Sequence, residues 1–233
     1  MGASAATAGV DAKAMVARAY GRKDALSRRF REKRFARVAA MVDRIIKRKG
    51  SCRIADIGGT KYYWDIVEGF VAARPVEITL INPKEAHAAA GKFRYVDGDA
   101  TDLSAFNDLS FDLAHSNSVI EHVGDWTKMA AMAANVRRLA PAYYVQTPNF
   151  WFPYEPHFRS LFIHWLPEQA RYRLVKRFAL GFADAQATVD AAMRRVQSAR
   201  LIDETQMRAL FPDAAIAREK VLGLTKSVIA YRD

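Results

Sequence analysis

The chain has 233 residues, of which 51% are hydrophobic and 11% aromatic, and it carries a net charge of +11. This length suits one domain with an elaboration, and the apolar fraction argues against a disordered chain. No window approaches 18 uninterrupted apolar residues, and the start lacks a basic region followed by an apolar one, so we predict neither a membrane span nor a secretory signal. The single cysteine, Cys52, fits a reducing compartment, so the sequence predicts a cytoplasmic protein.

The positive charge is concentrated in residues 1–53, which carry 15 Lys or Arg and 4 Asp or Glu. Residues 11–49 have apolar side chains at helical spacing and are predicted to form one or two helices that stop at Gly50. The basic part, residues 18–49, is open to several interpretations: a solvated helix face, a lid over an acidic substrate, or contact with an anionic membrane, which would make the protein peripheral there. Nucleic acid is a weaker candidate partner, because no RNA-binding module is visible.

The rest of the chain alternates strands and helices. The predicted strands are residues 52–56, 76–81, 93–96, 111–115, 142–146, 214–221 and 225–231. The predicted helices cover residues 63–73, the segment that begins near Trp126, and residues 183–200. Strands that alternate with helices indicate an α/β fold with a parallel sheet, and the last two strands form an antiparallel hairpin.

Polar side chains stand at the end of each of the first five strands. The first strand ends in Asp56 and runs directly into Gly58 and Gly59, where a ligand can approach the backbone closely. The polar residues at the five ends are Asp56, Asn82, Asp99, Ser116, Asn117, Thr147 and Asn149. Singly each could be a turn or cap residue, but in a parallel sheet they share one edge, which predicts a ligand lying across it.

Three motifs carry a resemblance to a known family: IADIGGT (54–60), DGDATDL (97–103) and FDLAHSNSVIEHVGDW (111–126). They resemble the class I S-adenosylmethionine-dependent methyltransferases of the small-molecule methyltransferase-domain type. The resemblance implies a doubly wound, mostly parallel seven-stranded sheet with a C-terminal antiparallel hairpin. It also implies S-adenosyl-L-methionine as the cofactor and S-adenosyl-L-homocysteine as the product.

The resemblance covers residues 50–149 and, more weakly, the C-terminal strands. On this basis we divide the chain into three parts. They are a basic helical lid (1–50), the S-adenosylmethionine-binding sheet (51–149 and 205–233) and a cap insertion (150–204).

The resemblance implies that Asp56 supports the glycine turn and the amino group of the methionine moiety, and that Gly58 and Gly59 let the backbone pass the ligand. Thr60 and Tyr62 stand where the family usually has its second and third glycines, so this turn is more crowded.

Further along the edge, Asn82 stands where the family usually has an acidic residue for the ribose hydroxyls. Asp99 and Ala100 would face the adenine, and Ser116 or Asn117 would border the methionine part. A dinucleotide site fits less well, because two of the three glycines of its G-x-G-x-x-G motif are missing.

Residues 150–167 begin at the same edge, are rich in aromatic side chains and are stiffened by prolines. We predict that they wall a substrate pocket together with the N-terminal helices, with His157 or Glu155 as a general base. His122, just after the fourth strand, is a candidate for orienting or deprotonating an acceptor. For the histidines the alternative is a purely structural role. The five histidines show no ligand spacing such as His-Glu-x-x-His, so no metal site is predicted.

The function predicted from these features is methyl transfer to a hydroxyl, amine or carboxylate of a small or amphiphilic acceptor, such as a lipid, a glycan or a secondary metabolite. Two alternatives stay open. One is a nucleic-acid methyltransferase that uses the basic N-terminus, and the other is a non-catalytic binding protein that retains the fold.

Overall fold

The computed structural model describes residues 25–83 and 91–233, with side-chain environments from Glu32 onward. Its centre is a seven-stranded sheet in the order β3-β2-β1-β4-β5-β9-β8. The strands of this sheet are β1 (Cys52–Ile57), β2 (Val76–Asn82), β3 (Phe93–Asp97), β4 (Leu113–Asn117), β5 (Ala142–Pro148), β8 (Ala215–Val221) and β9 (Leu224–Arg232). A separate two-stranded hairpin consists of β6 (Tyr154–Glu155) and β7 (Ser160–Leu161).

Helices lie on both sides of the sheet and in the segment after β5. They are α1 (Ala25–Lys49), α2 (Lys61–Asp65), α3 (Glu68–Ala72), α4 (Trp126–Leu139), α5 (Glu168–Arg177), α6 (Val189–Gln197) and α7 (Glu204–Leu210). Short 3-10 turns occupy Ile120–His122 and Ile163–Trp165. Within the described residues, no helix combines the length and the apolar character needed to cross a membrane.

The first five strands run parallel, whereas β9 is antiparallel to both β5 and β8. This confirms the predicted doubly wound, mostly parallel seven-stranded sheet with a reversed C-terminal hairpin. The chain order reverses between β1 and β4, which is the position where open α/β sheets bind ligands. The register of that pair sets Asp56 directly opposite His115.

The sheet is buried on both faces. One face is covered by α1, α2 and α3, with Phe35, Met41 and Trp64 packed against β1 and β2. The other face is covered by α4 and α7, with Met129 and Met207 in its core. Because both faces are covered, the central strands are almost continuously buried, as β1 and β4 are.

The N-terminal helix differs from the lid that the sequence predicts. In its described part the apolar stripe of α1 packs on the sheet, and its buried members are Phe35, Val38, Met41, Val42 and Ile45. Five large side chains at helical spacing bury too much apolar surface for a detachable lid, so α1 is a wall of the core. The helix ends at Lys49, as the predicted stop at Gly50 requires. The part of the predicted segment before Ala25 lies outside the described residues.

Two other predicted helices are shorter than expected. The helix predicted over 63–73 is two short helices that meet at Ile66 and Val67, where β-branched side chains and the nearby Gly69 weaken the helix. The helix predicted over 183–200 is α6 alone, whose N-cap Thr188 accepts a hydrogen bond from the backbone of Ala191.

Residues 150–204, which we call the cap, have a small apolar core of their own. Its buried residues are Phe158, Ile163, Val175, Ala192 and Val196. The two ends of the cap are joined to each other, because Phe150 N donates to the carbonyl of Ile202. The C-terminal end is also joined to the turn after β4, where Arg200 N donates to the carbonyl of Glu121. The cap therefore sits on the 3-10 turn that follows β4.

The only cysteine of the chain tests whether α1 stays on the sheet. Cys52 is fully buried among the α1 side chains, and this burial, with the charge of Asp112, raises the pKa of its thiol to about 12. Since only the thiolate is alkylated, we expect native protein at pH 8 to react with iodoacetamide at least about a thousandfold more slowly than a free thiol. Mass spectrometry measures the rate, and protein in guanidinium is the control. Labelling of the native protein at the free-thiol rate would show that α1 leaves the sheet.

Candidate active site

A cavity of about 420 Å³ lies at the carboxyl ends of β1, β2, β3 and β4. Eight of the nine residues predicted to bind a cofactor are in its wall: Asp56, Gly58, Gly59, Thr60, Asn82, Asp99, Ala100 and Asn117. They come from four separate loops, and the parallel sheet brings them together because it aligns its strand ends at one edge.

Asp56 lies at the floor of the cavity and is fully buried. Its Oδ2 accepts a hydrogen bond from Trp64 Nε1 at 2.7 Å, and its Oδ1 accepts one from His115 Nδ1 at 2.6 Å. The imidazole of His115 is stacked on Tyr144, with the ring of Tyr63 on another side. Both carboxylate oxygens are therefore used inside the protein, and Asp56 shapes the site by fixing its neighbours.

The glycines after β1 are required by contacts as well as by conformation. Gly58 has φ +74°, and a Cβ there would lie 2.4 Å from the side chain of Val119. A Cβ on Gly59 would lie 1.6 Å from Asp56 Oδ2. Neither position admits a side chain, so the turn presents bare backbone to the cavity. Thr60 is the N-cap residue of α2, and its side chain does not accept a hydrogen bond from the backbone of the first turn of that helix.

The opposite side of the cavity is formed by the ends of β2 and β3. Asn82 Nδ2 donates to the carbonyl of Gly59 at 2.6 Å, which links the two loops. Asp99 Oδ1 accepts from the backbone N and from Oγ1 of Thr101, both at 2.8 Å, and these bonds lower the pKa of Asp99. Ala100 is buried, and its carbonyl accepts from Asn135 Nδ2 at 3.1 Å.

Ser116 and Asn117, the two candidates at the end of β4, have different surroundings. Ser116 is fully buried, and its Oγ donates to the carbonyl of Ile57 at 3.0 Å, so it ties β4 to β1 and is not part of the cavity wall. Asn117 is in the wall. Its Oδ1 is buried without a hydrogen-bond partner within the described residues, and the same is true of Nε2 of His115.

The three candidate catalytic residues form one chain of polar contacts. Glu155 Oε1 accepts from His157 Nδ1 at 2.6 Å, and His157 Nε2 lies 3.1 Å from His122 Nε2. His122 is also part of the cavity wall. Within the part of the chain that the structure describes, no residue of 150–167 or of α1 is in the cavity wall. The predicted aromatic segment therefore approaches the cavity through the contact of His157 with His122.

His157 is held from several directions. It lies in the turn between β6 and β7, and its carbonyl accepts from Arg195 of α6 at 2.8 Å. Glu155 is buried, and it also accepts from the backbone N of Phe158. Burial alone lowers the pKa of His157, but the hydrogen bond and charge of Glu155, with the charge of Glu121, outweigh burial and raise it overall.

Reasoning from the sequence missed three residues at this site. Trp64 and His115 bind the Asp56 carboxylate, and buried Glu121 lies beside His122 and His157. The FDLAHSN motif does show a polar His115 in a buried strand, which is a signal, but its pairing with Asp56 depends on the register of β1 and β4.

Comparison with known proteins gives a partial match along the chain. Residues 51–141 match a protein-family model described as a methyltransferase domain. An uncharacterised protein of Mycobacterium tuberculosis strain H37Rv is 30% identical over 101 residues, which cover 38% of this chain and 34% of that protein. The match thus spans about a third of the length of that relative.

Solved structures are similar at the level of the fold alone. A SAM-dependent methyltransferase from Methanosarcina mazei has a TM-score of 0.43 and 15% identity, covering 78% of this chain and 91% of that one. A candidate zinc-dependent alcohol dehydrogenase from Rhodobacter sphaeroides has a TM-score of 0.49 and 11% identity, covering 78% and 83%. Neither likeness is close enough to bear on function.

The assignment therefore rests on the family match together with the architecture described above. The matched segment, residues 51–141, contains the glycine turn and the four strand ends that enclose the cavity. The sheet around it has the doubly wound order and the reversed last strand. Residues 51–141 are therefore similar to a methyltransferase domain, and they lie in a doubly wound sheet whose last strand is reversed.

Proposed function

We propose that this protein transfers the methyl group of S-adenosylmethionine to a hydroxyl, amine or carboxylate of a small or amphiphilic acceptor. The observation that carries the proposal is the cavity at the β1–β4 edge, which has a bare glycine turn on one side and the His122–His157–Glu155 chain at its rim. The first feature suits a cofactor that lies against backbone. The second suits an acceptor that must lose a proton.

The residues of the cavity fit the cofactor. Its volume of about 420 Å³ falls in the range of small-molecule sites. Asn117 Oδ1 and His115 Nε2 are buried acceptors without partners within the described residues, and a buried acceptor left unpaired costs about 1–3 kcal/mol. The ammonium group of the methionine moiety is a donor that can satisfy such atoms. At the other side Asn82 and Asp99 offer oxygens for the ribose and the adenine.

When bound, S-adenosylmethionine supplies a methyl group on a sulfonium that is already activated, so the protein mainly has to align a nucleophile with it. An acceptor hydroxyl or protonated amine must also lose a proton. His122 and His157 are the imidazoles at this rim, and Glu155 orients His157 by accepting its Nδ1 proton. These groups support a role in activating the acceptor.

The surface of the cap supports an acceptor with an apolar or ring-shaped part. Trp151, Phe162 and Trp165 are 62%, 48% and 41% exposed. Their rings are neighbours, since Trp165 lies 5.0 Å from Phe162 and 6.5 Å from Trp151 between ring centroids. A contiguous exposed apolar patch is typical of an interaction site, and this one lies on the cap outside the described cavity wall.

Calorimetry of the purified chain with separate ligands tests the cofactor. We expect S-adenosylmethionine and S-adenosylhomocysteine to bind, and NAD to bind at least about a hundredfold more weakly, because the turn lacks two glycines of the dinucleotide motif. Measurable affinity for NAD, with none for the methyl donor, would overturn the proposal.

The adenine contact is tested by Asp99→Ala. If Asp99 accepts a hydrogen bond from the ligand, its loss should weaken S-adenosylmethionine binding by roughly 1–3 kcal/mol, about 5- to 150-fold in Kd. Asp102→Ala is a matched control, because Asp102 makes a similar turn contact with Ser104 and is not in the cavity wall. Equal Kd values for the two variants would show that Asp99 does not bind the adenine.

The acceptor side is tested by His157→Ala. His157 contacts His122 at the rim, so we expect production of S-adenosylhomocysteine with a panel of phenol, amine and carboxylate acceptors to fall at least about a hundredfold. His157 is not itself in the cavity wall, so cofactor binding should depend on it little. The Kd for S-adenosylmethionine should change less than about threefold. A parallel loss of cofactor affinity would instead assign His157 to the donor site.

A further inference from the structure

Three side chains from two distant segments converge at the rim of the cavity. Glu121 and His122 belong to the 3-10 turn after β4, and His157 lies in the β6–β7 turn of the cap. One ligand-type atom from each, a carboxylate oxygen or an imidazole nitrogen, lies within 4.8 Å of the other two. Since 35 positions separate His122 from His157, no sequence spacing reveals this cluster.

The two imidazoles face each other through nitrogens that both carry lone pairs. His122 Nδ1 lies 2.7 Å from the carbonyl oxygen of Ser198, and His157 Nδ1 lies 2.6 Å from Glu155 Oε1. Carbonyl and carboxylate oxygens accept, so both Nδ1 atoms donate, and in the neutral rings both Nε2 atoms are acceptors. These Nε2 atoms are 3.1 Å apart. Two acceptors at this distance repel unless a positive charge lies between them.

Glu121 supplies an unsatisfied negative group beside them. Its side chain is fully buried, its Oε2 accepts from Thr147 Oγ1 at 3.0 Å, and its Oε1 has no partner within the described residues. None of the ion pairs within residues 32–83 and 91–233 involves it. A buried carboxylate without compensation is costly, so this oxygen needs a cation or a proton.

We propose that Glu121, His122 and His157 bind one divalent transition-metal cation, with Zn²⁺ as the representative ion. Ligand bonds of about 2.0–2.2 Å in a tetrahedron place the ligand atoms roughly 3.3–3.6 Å apart, close to the present separation of the two nitrogens. The ligand atoms of the cluster lie within 4.8 Å of one another. The Glu121 oxygen therefore has to move at most about 1.5 Å to reach the tetrahedral separation from the two nitrogens.

The surroundings of the cluster are those of a metal site. Each imidazole donates its other N–H to a fixed oxygen, Ser198 O or Glu155 Oε1, and this orients the lone pair of Nε2 toward the centre. Two imidazoles and one carboxylate leave a fourth position open, as in catalytic zinc sites. His122 is in the cavity wall, so that position is adjacent to the cavity. With the cation bound, both Nε2 lone pairs are ligands, so the cation and not an imidazole would activate the oxygen of the acceptor. That role rests on the proposed function, whereas binding of the cation does not.

The experiment is a titration of the full, untagged chain with ZnCl₂ after removal of metal with EDTA, in the absence of the methyl donor. A chromophoric chelator in competition gives the stoichiometry and the Kd. We expect one Zn²⁺ per chain with a Kd below roughly 1 μM, weakened at least about a hundredfold by His122→Ala or Glu121→Gln. Glu155→Gln, which alters the orienting bond of His157, should weaken it by about 10- to 100-fold.

His164→Gln is the matched control, since His164 is a buried cap histidine whose Nε2 bonds the carbonyl of Phe150, outside the cluster. It should bind Zn²⁺ like the parent chain. Circular dichroism checks that each variant folds. If a variant of a buried residue does not fold, His122→Ala decides the test, because the His122 side chain is exposed and its removal should not affect folding.

Absence of Zn²⁺ binding by the parent chain, or equal binding by His122→Ala, would overturn the metal site and leave a shared proton between the imidazoles. Calorimetry with S-adenosylmethionine on the same sample separates the two proposals. Binding of the methyl donor without Zn²⁺ refutes the metal site alone, and binding of Zn²⁺ without the methyl donor refutes the proposed function alone.

Discussion

The carboxylate of Asp56 is the interaction on which the candidate site depends. It lies at the end of β1 and joins Trp64 of α2 to His115 of β4, and its Oδ2 lies where a side chain on Gly59 would be. Removing a partner from a buried charge costs about 3–5 kcal/mol, so these groups hold one another in place. The glycine turn is fixed by this arrangement and forms one side of the cavity.

A second constraint joins the sheet to the cap. The 3-10 turn after β4 carries His122 in the cavity wall, while its buried Glu121 is bonded to Thr147 of β5. The cap returns to this turn through Ser198 and Arg200, which bond His122 and the Glu121 carbonyl. The position of the cap and the polarity of the rim are therefore set by the same few residues, and a change in one is expected to alter the other.

The basic N-terminal segment has a structural role in its described part. Its apolar stripe is part of the core. Two of its cations pair with carboxylates that flank sheet strands, since Lys49 lies 2.6 Å from Asp112 and Arg44 lies 2.6 Å from Asp233. In the described part of this helix the side chains of Arg44 and Lys49 are exposed, and no α1 residue described by the structure lies in the cavity wall.

The sequence by itself determined the order of elements, the parallel sheet with its reversed hairpin, and eight cofactor-binding candidates in the cavity wall. These follow from local signals, namely apolar strands, the turn at Gly58, and polar residues at strand ends that any parallel sheet must align. Tertiary structure alone decided that Ser116 bonds the backbone of β1, that α1 is core, and that Glu121 and His157 meet. These outcomes depend on strand register, on which helix face finds a partner, and on the path of the cap, and none of them is encoded in residues that are close together in the chain.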